Sequence, residues 1–160
     1  MSRSFGSLTQ LALHLGKVAL AQHEMEKSAL ERCAKLVEKC AKEKVGEYQP
    51  ESGPFAAWAA LADSTVSDRE RKGYPGDEPL LRTGALRDSI GHTVQDSVAQ
   101  VGSNSDIAVY QELGTRHMPP RSFLGGAAAE KLDDIKRIVG EDTVAALVGE
   151  KVFNRRMGIE

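Results

Sequence analysis

The sequence predicts an α+β fold, with a long N-terminal helix and C-terminal helices packed on a small antiparallel β-sheet. Three observations carry that prediction. Residues 7–46 contain no proline and one internal glycine before Gly46. Residues 88–104, "DSIGHTVQDSVAQVGSN", alternate apolar and polar positions about a polar turn. After Leu124 the chain returns to helix-forming composition, "GGAAAEKLDDIKRIVGEDTVAALVGEKV". At 160 residues, 41% hydrophobic and 28% charged, the chain reads as one ordinary globular domain. Only 5% is aromatic, so the core must be built mainly of Leu, Val, Ile and Ala. Residues 1–160 divide into a long helix (7–46), a loop-rich insertion with a short helix (47–79), a core segment with the hairpin (80–130), a C-terminal helix (131–150) and a tail (151–160).

Ser7 is the expected N-cap of the first helix, and Gly46 its stop after a lysine-rich last turn. Leu8, Leu11, Leu15, Val18, Met25, Ala29, Leu36 and Cys40 form one apolar stripe, broken at Gln22, with charges opposite. A single-striped helix of this length needs a partner surface, either the chain's own sheet or a neighbouring subunit. "EYQPESGPF" and "GYPGDEP" are loops by their Pro and Gly content. Between them "AAWAALADSTVSDRERKG" predicts a short helix turning Trp58, Leu61 and Val66 inward. In the hairpin Ile90, His92 and Val94 alternate, the turn falls at Gln95-Asp96-Ser97, and Val98 to Val101 return. Val109, Tyr110 and Leu113 fit a short helix that stops at Gly114. "MPPRSFL" is expected to be extended, because consecutive prolines exclude helix. The C-terminal segment predicts one helix, or two joined at Gly140, followed by a loose tail, "FNRRMGIE".

The formal net charge of −2 argues against a free-standing nucleic-acid binder. No apolar run is long enough to span a membrane and no signal-peptide core follows the N-terminus, so no membrane association is expected and the chain is read as made in the cytoplasm. Cys33 and Cys40, seven residues apart on one helix, are separated by ~10.5 Å along its axis, too far for a disulfide. They read as small buried hydrophobes. The histidines, at 14, 23, 92 and 117, form no HExxH pattern, and a metal shared by Cys33, Cys40 and His117 is weak beside core packing and surface histidines. GxSxG and phosphate-loop spacings are both missing. Asp133-Asp134 and Glu141-Asp142 read as solvated helix faces. The sequence thus points to no catalytic, cofactor-binding or metal-binding residue, and to a non-enzyme.

Arg69, Arg71, Lys72, Arg82, Arg87, Arg116 and Arg121 instead crowd the irregular central half, interspersed with Asp77, Glu78, Asp88, Asp106 and Glu112. Such mixed charge is either a soluble surface or a set of complementary bridges between subunits, which set register more than affinity. Gly84 and Gly114 mark sharp turns. Met118-Pro119-Pro120 is a stiff stretch suited to a sheet edge or surface path. Phe123 and Leu124 anchor the helix that follows. Glu112 and Arg116, four apart, predict a helical ion pair worth ~0.3–0.5 kcal/mol if exposed.

Two motif-bearing segments, "PLLRTGALRDSI" and "VGSNSDIAVYQELGTRHMPPRSFLGGA", carry a family resemblance in their order and spacing. The residues concerned are Leu80, Thr83, Gly84, Leu86, Ser89 and Ile90; Val101 and Gly102; Tyr110, Glu112, Gly114 and Thr115; and Met118, Pro119, Arg121, Phe123 and Leu124. Over roughly residues 55–130 the chain resembles the virion morphogenesis proteins of tailed phages and prophages, the Mu-type proteins included, described as neck, head–tail connector or tail-completion proteins. Ile107, where the family often has an aromatic residue, and Gln111 depart mildly from its pattern.

The resemblance implies a structural virion protein, located in the neck or tail, that assembles as a homo-oligomeric ring of six or twelve copies joining the DNA-filled head to the tail. Its partners would be the adjacent connector or portal-adaptor and tail proteins, with non-specific double-stranded DNA in the lumen at most. A closed ring needs heterologous interfaces. The expected sources are the helix 7–46 and the segments 80–90 and 110–124, with Arg82, Arg87, Asp88, Glu112, Arg116, Met118 and Arg121 as candidate subunit-interface residues. The loop-rich 47–79 stretch is expected to order on docking. A tail-terminator ring is the nearest alternative. From other classes, the alternatives are a small DNA-binding or nuclease-like protein and a helical interaction module.

Overall fold

The computed structural model describes residues 6–148. In chain order these form α1 (Leu8–Glu43), α2 (Asp63–Arg71), α3 (Ala85–Asp88), β1 (Ile90–Gln95), β2 (Val98–Ser103), α4 (Asp106–Leu113), α5 (Leu124–Glu130) and α6 (Leu132–Val148). The fold class is the mixed helix and sheet that the sequence predicts. Residues 149–160, which include the expected tail, lie outside the described residues.

Ser7 starts α1 as expected, its hydroxyl accepting the Gln10 N–H at 3.2 Å. The helix ends at Glu43, and Gly46 follows at φ 109°. Its 36 residues make a rod about 54 Å long. The apolar stripe divides in two along this rod. Met25, Ala29, Cys33, Ala34, Val37, Cys40 and Ala41 are buried, covered by β1, β2, α5 and α6. Among the described residues of α1 before Met25, none is buried. Both cysteines are core hydrophobes, and burial pushes their thiols above the usual range.

The sheet is the β1–β2 hairpin, antiparallel and in register from Ile90↔Ser103 to Gln95↔Val98. Asp96 takes the left-handed conformation (φ 52°) in its two-residue turn, which Asp tolerates better than most residues. Two strands alone are marginal in water, and α1 supplies the surface that this hairpin needs. The core joins Val37, Cys40, Ala41 and Val45 to Trp58, Leu80, Leu86, Ile90, Ala108, Phe123 and Ala127. Phe123 is fully enclosed at its centre.

The insertion departs from expectation. Trp58 is buried, but it enters the core from a non-helical stretch, its N–H donated to the Gln49 carbonyl at 2.9 Å. The helix begins five residues later at Asp63 and buries nothing. Its sequence, DSTVSDRER, is too polar to leave water. Polar clamps hold it instead. The Arg69 guanidinium donates to the carbonyls of Glu78 (2.6 Å) and Leu81 (3.1 Å). The Tyr48 hydroxyl donates to Asp77 and accepts the Leu61 N–H. These bonds bracket Leu80, a buried residue held at φ 63°, a conformation costing ~1–2 kcal/mol for a side chain of its kind.

The C-terminal helices are joined at Lys131, not at Gly140, which lies inside α6. Ion pairs fasten this region along α1, Lys44 to Glu130 and Arg32 to Asp142, and such tertiary ties override the weak helix propensity of glycine. Asp142 is therefore not on a solvated face: it is buried against α1. Asp133, Asp134 and Glu141 do make surface pairs, with Lys136 and Arg137.

Candidate functional site

The fold brings the two motif segments together. Leu80, Leu86 and Ile90 of the first share one core cluster with Ala108 and Phe123 of the second. The hairpin returns the chain so that Ile90 faces Ser103. At its base the Ser89 and Ser103 hydroxyls meet at 2.7 Å, and Ser103 Oγ accepts the Ser105 N–H at 3.0 Å. The end of α3 and the start of α4 are thus tied side by side.

The polar wiring inside this unit centres on Glu112. One carboxylate oxygen accepts the N–H groups of Phe123 and Leu124, both at 2.9 Å. The other accepts the Gly125 N–H at 2.8 Å and the Ser122 hydroxyl. Helix α5 has no side-chain cap of its own at Phe123, so its free N–H groups are satisfied by a carboxylate from another helix. The expected Glu112–Arg116 pair does not form. Gly114 ends α4 at φ 74°, ψ 176°, the chain leaves the helical path, and Arg116 Nε instead donates to His117 Nε2 at 3.2 Å.

Arg121 is equally internal. It is buried, its guanidinium donates to the carbonyls of Ala59 (3.0 Å) and Ala60 (3.3 Å), and its own N–H goes to the Gln111 carbonyl at 2.7 Å. Burial lowers its pKa from the usual guanidinium value. Its Nε and the Gln111 Oε1 are buried without a hydrogen-bond partner.

The other candidates face outward. Arg82 lies 4.8 Å from the Tyr74 ring centroid as a cation–π pair. Arg87 and Asp88 are exposed and 3.6 Å apart. Arg116 is exposed, and Met118 is half-buried, closing a turn with Thr115 through N–H···O bonds of 2.8 and 3.2 Å. The "MPPRSFL" stretch therefore opens on a tight turn before it extends. Gly114 makes that turn possible: a Cβ there would sit 2.8 Å from the Pro120 nitrogen and 2.9 Å from the Met118 oxygen.

The feature that residue-by-residue reading missed is the inversion of α4. Ile107, Val109, Tyr110 and Leu113 are 57%, 54%, 55% and 73% exposed. Ala108 is buried, while Gln111 and Glu112 are half-buried. The apolar arc of this helix points to solvent and its carboxylate points inward, against the usual amphipathic order. No sequence signal marked it: Ser122 in "SFLGGA" is by type a capping residue for the helix that follows, and only the structure turns its hydroxyl to Glu112 and leaves α5 without a side-chain cap of its own. Beside the patch, Leu113–Pro120 line an open hollow.

Among the described residues no group of three or more His, Cys, Asp or Glu side chains is placed to hold a metal ion. No helix is long and apolar enough to cross a membrane.

Comparison with known proteins adds three findings. The chain is similar to the guanosine-inosine kinases of Escherichia coli strains K12 and O157:H7, at 30% identity over 114 residues that cover 70% of this chain and 23% of each kinase. It spans less than a quarter of the length of these curated relatives. No solved structure matches it. The sequence profile of the phage virion morphogenesis family, by contrast, matches residues 7–141, which include all of the wired motif unit. The chain belongs to the phage virion morphogenesis family and, with it, to the structural and assembly proteins of phage particles.

Proposed function

We propose that this protein is a subunit of the neck of a tailed phage, forming a closed ring that joins head to tail and lets DNA pass. The observation that carries the reading beyond the family is the inverted helix α4. Its outward residues remain 54–73% exposed, so covering each side chain gains on the order of 1–2 kcal/mol, and the inward carboxylate and the Gly114 turn hold the helix in place. A preorganised apolar patch of this kind is what a docking surface requires. Arg116 beside it, with Arg82, Arg87 and Asp88 on the neighbouring segment, supplies charges that select the partner surface and its register. Ring closure joins unlike patches on successive subunits. A net charge of −2 leaves the lumen free of the strong basic field that grips phosphates.

The test is attachment. The purified chain, mixed with tailless heads or headless tails, is expected to add a ring of density at the portal vertex or the tail end in electron micrographs. Tyr110→Glu/Leu113→Glu, at exposed positions, should keep the thermal midpoint and reduce attachment at least tenfold. An unaltered chain that joins neither particle overturns the neck reading. A double variant that attaches normally removes α4 from it.

A further inference from the structure

We infer that residues 8–24 of α1 are an assembly arm whose two apolar faces bind the arms of two neighbouring copies of this chain. The inference rests on the ring reading and names the contact that closes the ring. The arm's 17 residues project about 25 Å ahead of Met25, the first buried residue of the helix among those described.

Its leucines fall into two sets. Leu8, Leu11 and Leu15 follow the a and d positions of a heptad whose later members, Met25 and Ala29, are buried in the chain's own core. Leu13 and Leu20 both fall at f, roughly 150° round the helix at 3.6 residues per turn. Leu8, Leu13, Leu15 and Leu20 are 85%, 65%, 57% and 72% exposed.

One partner surface cannot cover both sets. A helix that is apolar on two nearly opposite sides is one that lies between two others. The position f, furthest from the seam in a two-stranded coil, carries charge or polarity where nothing lies behind it. Here it carries leucine twice.

The arm itself specifies a second copy as its occupant. Leu8 and Leu15 are spaced seven residues apart, and so are Leu13 and Leu20, so the two faces present ridges of matching pitch to each other. Between Leu8 and His23 the only formal charge is Lys17, so like arms do not repel when packed side by side. A contact between the a/d face of one copy and the f face of the next is heterologous. Repeated around an axis it closes a ring, leaving every arm with a neighbour on each side.

The experiment uses the full chain in three forms: unaltered, Leu8→Lys/Leu15→Lys and Leu13→Lys/Leu20→Lys. All four positions are exposed and lysine is a good helix former, so each variant should still unfold in one cooperative transition, with a midpoint lowered only by the stability that assembly adds. Sedimentation and native mass spectrometry should show a closed oligomer for the unaltered chain and monomers for each variant alone. An equimolar mixture of the two variants should give a 1:1 dimer, because one intact a/d face meets one intact f face. A mixture that stays monomeric overturns the inference. If both variants assemble like the unaltered chain, the arm is covered otherwise, by residues 149–160 or a foreign protein, and the inference falls while the ring reading stands. An unaltered chain that stays monomeric, alone and on phage heads or tails, overturns both.

Discussion

Glu112 shows how a single residue organises the motif unit. Four donors converge on its carboxylate, three of them backbone N–H groups at the start of α5. Glu112→Gln keeps the shape but turns an amide NH2 toward two of those donors and removes the charge. Hydrogen bonds to charged groups contribute ~1.5–3 kcal/mol each, and losses within one network are not additive. The expected outcome is a destabilisation of about 2–4 kcal/mol, read as a lowered denaturation midpoint with an unchanged slope. A loss under 1 kcal/mol would show that the cap is dispensable. The sequence reading set Glu112 and Arg121 within the motif, as surface charges. Spacing alone could not reveal otherwise, because i,i+4 pairing presumes that the helix continues and Gly114 ends it. Arg121 likewise keeps a buried cation with carbonyl partners, an arrangement set by where Ala59 and Ala60 lie after a long loop.

At the scale of elements, the hairpin depends on α1 and is fastened to it by a small charged cluster. His92 on β1 meets Glu38 through Nδ1 and Glu31 through Nε2, while Lys42 pairs with Glu38 and Lys35 with Glu31. Arg87 of α3 lines the same groove. The bond to Glu38, then that to Glu31, raises the imidazole pKa above 6.5. Lys42 and then His92 lower that of Glu38 below 4.5, and His92 and then Lys35 lower that of Glu31. A raised histidine pKa contributes stability that is fully present below the unfolded value and lost as pH rises through the folded one. Depressed carboxylates contribute above their unfolded value and lose that contribution as pH falls. Thermal midpoints should therefore peak between about pH 4.5 and 6.5 and decline above. His92→Gln should flatten the upper decline and leave the lower one partly in place. An upper limb equally steep in that variant would assign the effect to another group. The hairpin and both of its strands were legible from alternation and turn residues. The clamp was not, since Glu31 and Glu38 lie on a helix whose distance from His92 no local pattern records.

At the scale of the whole molecule, burial is concentrated at one end of a long rod. The segment from Met25 to Val45 carries the core, and the segment before it carries exposed leucines. Opening free energies should follow this division. In the monomer, amide hydrogen exchange is expected to be fast over residues 8–24 and slowest over 33–41, with intermediate rates in α2, which buries nothing. On assembly the 8–24 amides should slow by at least tenfold, while those of 33–41 change little. Uniform protection along α1 in the monomer would mean that the arm is already covered. The loop-rich insertion is held by Arg69, Arg121 and Tyr48 through hydrogen bonds, so its protection should exceed that of an open loop of the same composition.

The sequence by itself determined the long first helix, the hairpin, the helix that Gly114 ends and the order in which they follow one another. Helix caps, glycine stops, alternation and proline are local effects, each settled within a few residues of chain, and the motif spacing that marks the family is local too. Tertiary structure decided which faces meet. It cut the stripe of α1 into a buried half and a half in which Leu8 and Leu15 stay exposed, turned α4 apolar side out by drawing Glu112 inward, and joined α5 to α6 at Lys131 rather than at Gly140. These outcomes depend on partners from 10 to 110 residues away, and the free energy of satisfying a buried carboxylate or helix end outweighs the preference of any single position for one side of its helix.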